Sequence, residues 1–303
     1  MSKQQTSYIV LQCYGNDAIF HECTFALLTL SQLYKPEELA HIQIWIYTDR
    51  PEWFLSFRDC WLPITLKKIN EQVIKTWKGE IDFVHRVKIE VLRDLLQTKA
   101  GNILYLDTDV VFLRRIDTLL DAVGQGKIFM HVMEGVVSDE GNPIMKKLCF
   151  YLREQKTIQL SGKPLYENAM WNAGVLGFDT QYHALLDDIL FFTDMVYPEF
   201  PKHIVEQFAF SLYFQRTTDI HAAAPYILHY WNVKELRILL ASFFEHFKNK
   251  TWDDLVACSK LIQVHVLMQE KISYLQNRGT FGKLSKSDWE PVIPDWNLMV
   301  QQL

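Results

Sequence analysis

The chain lacks any apolar run long enough to cross a membrane; stretches such as Phe25-Ala26-Leu27-Leu28 break well short of the roughly 18 residues a span requires. The opening residues, Met-Ser-Lys-Gln-Gln-Thr-Ser, are polar and lead straight into a strand-like segment, so no secretory leader is expected. Charge is scarce on balance, with 31 Lys and Arg against 36 Asp and Glu and a net charge of -5. Without a basic field, nucleic acid is excluded as a partner. Cysteine is also sparse. The five present, Cys13, Cys23, Cys60, Cys149 and Cys258, are odd in number and show no metal-type spacing, which excludes a disulfide framework and reads as reduced, buried thiols of a cytoplasmic protein. Neither an internal repeat nor a low-complexity linker divides the 303 residues, enough for one large domain or a domain with an appendage.

What the chain has is a conspicuous central stretch, Asn102-Ile103-Leu104-Tyr105-Leu106-Asp107-Thr108-Asp109-Val110-Val111-Phe112-Leu113. Two carboxylates sit between apolar runs that a core would claim, and an isolated buried carboxylate must be paired, hydrogen-bonded or bound to a metal. If the stretch is one strand, residues i and i+2 share a face, and Asp107 and Asp109 both address one ion. Hard divalent cations take oxygen ligands and are often completed by substrate phosphates, so the expectation is a metal bound to a nucleoside diphosphate. The competing reading is a pair of turn or capping aspartates at a strand end. The aromatics, nine Trp and nineteen Phe among them, fit a core of large side chains or a sugar-handling site.

Strands and helices alternate through the first half. A strand at residues 8–13 meets the turn Gly15-Asn16-Asp17 and a helix over 18–34; a strand at 41–47 ends at Thr48-Asp49-Arg50-Pro51; a third strand spans 62–69 and a helix 83–97, closed by Lys99-Ala100-Gly101. This order predicts an α/β fold with a mainly parallel sheet, in which ligands collect at the carboxyl ends of the strands. That rule places Tyr14, Gly15 and Asn16, the Thr48-Asp49 corner and the Asp107/Asp109 pair on one rim. Further on, the pattern predicts a strand at 127–132, a helix at 143–152, a loop at 155–169 and a strand at 170–179 opened by Asn172-Ala173-Gly174. These small residues suit a backbone approached by a ligand, or a kink in a buried strand. Helices follow over 182–197 and 204–213, the second carrying Glu206 and Gln207, and Glu206 is also a good helix-start acid. A strand at 222–228 leads to His229-Tyr230-Trp231-Asn232-Val233-Lys234, where His229 alone is most simply structural. Two helices, from residue 235 and over 252–276, end the chain, their apolar stripes suited to packing on their own domain.

Together these segments resemble the retaining nucleotide-sugar glycosyltransferases of the glycogenin and lipooligosaccharide-galactosyltransferase type, family 8, with a GT-A fold. Tyr105-Leu106-Asp107-Thr108-Asp109-Val110-Val111 is similar to that family's metal motif, His85-Arg86-Val87-Lys88-Ile89 to its helix with a nucleotide-contacting Arg, and Asn172-Ala173-Gly174-Val175 to its sugar-pocket strand. Glu206-Gln207 falls where the family has an acid and a Gln beside the donor sugar. His229 and Lys234 resemble the third metal ligand and the diphosphate lysine, although Asn232 holds the place of the family's glycine and Lys234 comes one residue early.

The resemblance implies a metal-dependent transferase moving a hexose from a UDP-sugar to an acceptor hydroxyl with retention, in bacterial-type glycan or glycoconjugate assembly. It implies Mn2+ or Mg2+ held by Asp107, Asp109 and His229, a donor held by Tyr14, Asn16, Arg86, Asp107 and Lys234, and Gln207, Glu206 and Asn172 at the sugar. Residues 1–234 are expected to form the catalytic domain and 235–303 a helical extension packed on it. The acceptor is a glycan, a lipid-linked sugar or a protein, and peripheral membrane association stays open. Two other readings compete: a non-catalytic sugar-nucleotide-binding scaffold, and a sugar-nucleotide pyrophosphorylase. The latter wants a glycine-rich basic loop after its first strand, which Cys13-Tyr14-Gly15-Asn16 is not.

Overall fold

The computed structural model of the protein describes residues 5–138, 140, 142–155, 164–278 and 287–301. In chain order it begins with β1 (Ser7–Cys13), α1 (Asp17–Ser31), β2 (Ile42–Thr48), α2 (Pro51–Leu55), β3 (Ile64–Lys68), α3 (Glu71–Lys78), α4 (Arg86–Leu96) and β4 (Asn102–Leu106). The middle holds β5 (Val110–Phe112), α5 (Asp117–Gly124), β6 (Ile128–Met130), β7 (Met133–Val136), α6 (Pro143–Glu154), β8 (Ala169–Trp171), β9 (Val175–Asp179), α7 (Leu185–Val196), α8 (Ile204–Thr217), β10 (Ile220–Ala222) and β11 (Ile227–His229). The remainder is helical: α9 (Leu236–His246), α10 (Trp252–Ser259), α11 (Val264–Asn277) and α12 (Trp296–Val300). Seven strands hydrogen-bond in the order β10-β6-β9-β4-β1-β2-β3, the mixed α/β architecture that strand and helix alternation predicts. β10 runs parallel to β6 and β2 to β3, whereas β9 runs against both β4 and β6.

The chain divides into two compact units. The first comprises Met1–Val10, Ile69–Leu106 and Ile116–Ala224. Every residue of β4 is buried, and α5 packs on β4 and β9. Helix α4 packs on α7, α7 on α8, and α8 on β8. Gly101, read from sequence as the end of a helix, has another duty: α4 ends at Leu96, and Gly101 sits at φ +153°, where a Cβ would come 2.1 Å from the Thr6 carbonyl oxygen. Asn142 caps α6, its Oδ1 accepting from the N–H groups of Ile144 and Met145, with Pro143 at the first helical position.

The second unit comprises Leu11–Lys68, Asp107–Arg115 and Pro225–Leu303. Its centre is α1, buried continuously from Phe20 through Ser31 apart from His21 and packed on β5, α9 and α10. The polar groups that this burial carries inward are satisfied. Thr29 Oγ1 donates to Ala26 O and accepts the Phe112 N–H at 3.1 Å, and Ser31 Oγ accepts from Trp252 Nε1 at 3.2 Å. Glu22 is met by Arg237.

Four expectations need correction. Residues 102–113 are two strands, β4 pairing with β9 and β5 with β11, so Asp107 and Asp109 lie in the break between them and the shared face of one strand is not what brings them together. Residues 170–179 likewise split into β8 and β9, because Asn172 Oδ1 accepts the Gly174 N–H at 3.0 Å and turns the chain locally. The strand read over 222–228 is β10 and β11, separated by Ala223–Tyr226. The helix read over 252–276 is α10 and α11; Ser259 at the joint donates its hydroxyl to Val256 O, a local bond that competes with the helix ladder. Helices α3 and α5 carried no sequence expectation. Of the loop read over 155–169, residues 156–163 lie outside the described residues. No helix of the described residues is long and apolar enough to cross a membrane, and all five cysteines are free.

Candidate functional site

Antiparallel pairing builds the acidic cluster of the second unit. β11 runs against β5 with His229 opposite Val110, so the last residue of one strand arrives beside the residue that follows Asp109. Tyr230 N then donates to Asp109 O at 2.9 Å and locks the approach. His229 Nε2 stands 3.1 Å from Asp109 Oδ1 and 3.9 Å from Asp107 Oδ2. One ligand atom from each of Asp107, Asp109 and His229 lies within 4.8 Å of the others. Lys234 Nζ donates to the second oxygen of Asp109 at 2.7 Å.

Asp109 and His229 are only 7% and 6% exposed. Burial by itself would push the Asp109 carboxyl up, but the neighbouring His229 and Lys234 overcome that and hold it far below the usual carboxylate range. The carboxylate is therefore charged, with His229 facing one oxygen and Lys234 the other. Two carboxylates and one imidazole make a mixed oxygen and nitrogen donor set, which suits a hard or borderline divalent ion, so the residues present fit a metal.

A second buried carboxylate, Glu22, feels the Asp109 charge. Glu22, 1% exposed, accepts from Arg237 Nε and Nη2 at 2.8 and 2.9 Å in a forked pair. Burial raises the Glu22 carboxyl above its ordinary value, with the Asp109 charge adding to that and Arg237 opposing it. The buried hydroxyl of Tyr230 has no hydrogen-bond partner among the described residues, and burial, followed by the Glu22 and Asp109 charges, pushes its pKa well up.

The β1–α1 loop belongs to the same unit. Gly15 N donates to Asp49 Oδ2 at 3.2 Å, and Arg50 joins Gly15 O and Asp17, tying the loop to the end of β2. Tyr14 is half-buried, and its phenol is pushed up to about 12 by burial and then by Asp107 and Asp49. Asn16 is exposed and caps α1, its Oδ1 accepting from Ile19 N at 3.4 Å.

The first unit carries a second cluster. At the start of α8, Glu206 is 2% exposed and pairs with Lys88 Nζ at 3.1 Å. Lys88, also 2% exposed, donates to Ala173 O at 2.9 Å and lies 5.2 Å above the Tyr105 ring. Gln207 Oε1 accepts from Ala173 N at 3.3 Å, and Gln207 Nε2 donates to Glu134 at 2.8 Å. Asn172 Nδ2 donates to the other oxygen of the same carboxylate at 3.0 Å. Arg86 is fully engaged: Nε and Nη2 fork onto Asp194 at 2.7 and 3.1 Å, and Nη1 donates to Glu90 and to Trp77 O.

The structure thus gathers Tyr14, Asp107, Asp109, His229 and Lys234 in one unit, and Asn172, Glu206 and Gln207 in the other. Asn16 is held as the cap of α1, and Arg86 by Asp194, Glu90 and Trp77 O. Two residues outside the sequence expectations enter the second cluster. Lys88 had a readable signal, a charge on the apolar stripe that Val91, Leu92 and Leu95 continue along α4. Glu134, an exposed residue of β7, had none.

The sequence model of glycosyl transferase family 8 matches residues 89–185, roughly a third of the 303 residues, a span that contains Asp107, Asp109, Glu134 and Asn172. Among solved structures the chain is similar to the galactosyltransferase LgtC in complex with donor and acceptor sugar analogs, at 14% identity over 68% of this chain and 70% of that one with a TM-score of 0.43. It is similar to mouse xyloside xylosyltransferase 1 at 12% identity over 72% and 85% with a TM-score of 0.46. It is similar to the glycosyltransferase GlyE of Streptococcus pneumoniae TIGR4 at 12% identity over 84% and 63% with a TM-score of 0.45. Likeness at that level adds no argument to the family match. No curated protein matches the chain. The matched segment, residues 89–185, takes in the chain's own acidic motif and is similar to glycosyl transferase family 8.

Proposed function

We propose that the protein transfers a hexose from a UDP-sugar to an acceptor hydroxyl, with a divalent cation, Mn2+ or Mg2+, held by Asp107, Asp109 and His229. The observation that carries this reading is the convergence of those three side chains around a buried, charged Asp109. Breaking the anomeric bond leaves negative charge on the diphosphate, and a bound ion supplies Lewis-acid stabilisation of that charge. The chain's own residues do the rest. Lys234, 46% exposed and resting on Asp109, is the mobile cation that turns to the diphosphate oxygens. Tyr14 offers its ring to the base and Asn16 its amide to the ribose. Arg86, engaged by Asp194 and Glu90, serves the donor by holding α4, and hence Lys88, in place.

At the sugar, Asn172, Glu206 and Gln207 are the assigned residues, with Lys88 fixing the Glu206 carboxylate. The Gln207 amide oxygen already accepts from Ala173 N, which supports a donor role for this side chain rather than nucleophilic attack. Retention by acceptor attack on the leaving-group face is the reading this favours. Product stereochemistry followed by NMR decides it, an inverted product ending the idea. Residues 1–234 form the catalytic domain in this reading and 235–303 the helical extension. The five free thiols support a cytoplasmic setting, in bacterial-type glycan or glycoconjugate assembly. Glycan, lipid-linked and protein acceptors are all compatible with it.

The test is calorimetric titration of UDP into the protein with manganese and then with chelator, for the wild type and Asp109→Ala. Binding that requires both the metal and Asp109 supports the donor site. No binding in either condition removes it and leaves a non-catalytic protein on the same fold.

A further inference from the structure

Two of the side chains assigned to the sugar converge on a residue that no sequence motif singles out. β7 pairs antiparallel with β8, Met133 opposite Trp171 and Gly135 opposite Met170, so Glu134 is the extra residue of a β-bulge. Gly135 completes the bulge at φ +130°, a conformation that L side chains rarely adopt. A bulge takes one side chain out of the strand's alternation and re-aims it, and bulges are over-represented beside active sites. Here the re-aimed carboxylate takes two amides. Oε1 accepts from Asn172 Nδ2 at 3.0 Å and Oε2 from Gln207 Nε2 at 2.8 Å.

The far ends of both amides are also held. Asn172 Oδ1 accepts the Gly174 N–H at 3.0 Å, and Gln207 Oε1 accepts the Ala173 N–H at 3.3 Å. An ionised carboxylate only accepts hydrogen bonds, and a backbone N–H only donates, so each amide has one orientation that satisfies both neighbours. Flipping either side chain would set oxygen against carboxylate and NH2 against N–H. The geometry points to Glu134 as a positioning residue of the transfer reaction, acting through the amides of Gln207 and Asn172. This rests on the transferase reading, in which those two amides meet the donor sugar. Glu134 makes Gln207 present its remaining N–H to the substrate and turns its oxygen away.

Glu134→Gln keeps the length and shape of the side chain but offers one carbonyl oxygen for two donors. The expected result is a fall in kcat on the order of 10–100-fold, the scale found for outer hydrogen-bond partners of metal ligands, with KM for the donor nearly unchanged. In a Gln207→Ala background the same substitution should cost less, because one of the two amides it acts through is already gone. The side-chain NH2 resonances of Gln207 and Asn172 in a 15N–1H spectrum should move while backbone peaks far from β7 stay in place. Full activity, or a loss equally large with and without Gln207, overturns the proposal. If the wild type neither transfers nor hydrolyses any sugar nucleotide, the transferase reading falls. The two amide resonances then still decide the orientation, and their staying in place in Glu134→Gln overturns it.

Discussion

His229 Nε2 lies 3.1 Å from Asp109 Oδ1, although 120 residues separate them in the chain. The antiparallel pairing of β5 and β11 makes this contact, and Lys234 closes the other side of the same carboxylate at 2.7 Å. The proposed metal site makes one binding unit of the two aspartates and the histidine, and the first prediction follows from that proposal.

His229→Ala should weaken manganese binding on the order of 10–100-fold, because it removes the one nitrogen donor and leaves the ion to the two aspartates. Titration of Mn2+ followed by electron paramagnetic resonance reads the change directly. Chelator should abolish UDP binding in the wild type and change little in the variant. Equal Mn2+ affinity in both proteins would exclude His229 as a ligand.

Lys88→Met should destabilise the fold by about 3–5 kcal/mol, the range for stranding one partner of a buried ion pair. Lys88 and Glu206 have side chains 3% exposed each, so Glu206 would be left charged in a dry site. Adding Glu206→Gln should recover much of the loss. Urea unfolding of the single and double variants measures it, and additive losses would mean that the pair is not coupled.

Glu22 predicts a pH dependence. Its folded carboxyl lies above the ordinary value of 4.5, chiefly because it is buried. In the window just above 4.5 the folded state keeps a proton that the unfolded chain has released, so the contribution to stability is full below that pH and is lost as pH rises through the folded pKa. Arg237→Ala removes the opposing charge and should raise this carboxyl further, widening the window and steepening the loss toward neutral pH. Denaturant midpoints at pH 5 and pH 8 should therefore diverge more in the variant. A variant whose stability profile parallels the wild type would contradict the assignment.

Tyr14→Ala should cost UDP binding about 1–3 kcal/mol, the usual worth of a base stacked on an aromatic ring. Tyr14→Phe should bind nearly as well as the wild type, since its ring is kept and the hydroxyl, pushed up to about 12, carries no charge at neutral pH. If the phenylalanine variant loses as much as the alanine one, the hydroxyl rather than the ring is what the nucleotide meets.

The alternation of strands and helices was legible because each element is several residues long and its apolar spacing reports burial directly. The spans of β1, β2, α1 and α4 come out within a few residues of what the pattern predicts. Asp107 and Asp109 were legible for a different reason: charge beside a buried run such as residues 102–106 is expensive and calls for an explanation. Short breaks were not legible. Nothing in apolar spacing marks where Asp107-Thr108-Asp109 leaves one sheet for another pair of strands, or where the Asn172 side chain turns the chain by bonding to Gly174.

By itself the sequence determined the class of fold, the acidic motif and the family to which residues 89–185 are matched, since all three rest on local pattern and local chemistry. Tertiary structure decided which side chains share a site. It set His229 against Asp109, buried Lys88 beneath Glu206, and turned Glu134 out of β7 to hold two amides. The first depends on strand register, the second on how two helices pack and the third on a single bulged residue, and a shift of one position in register or bulge would face the same side chains the other way.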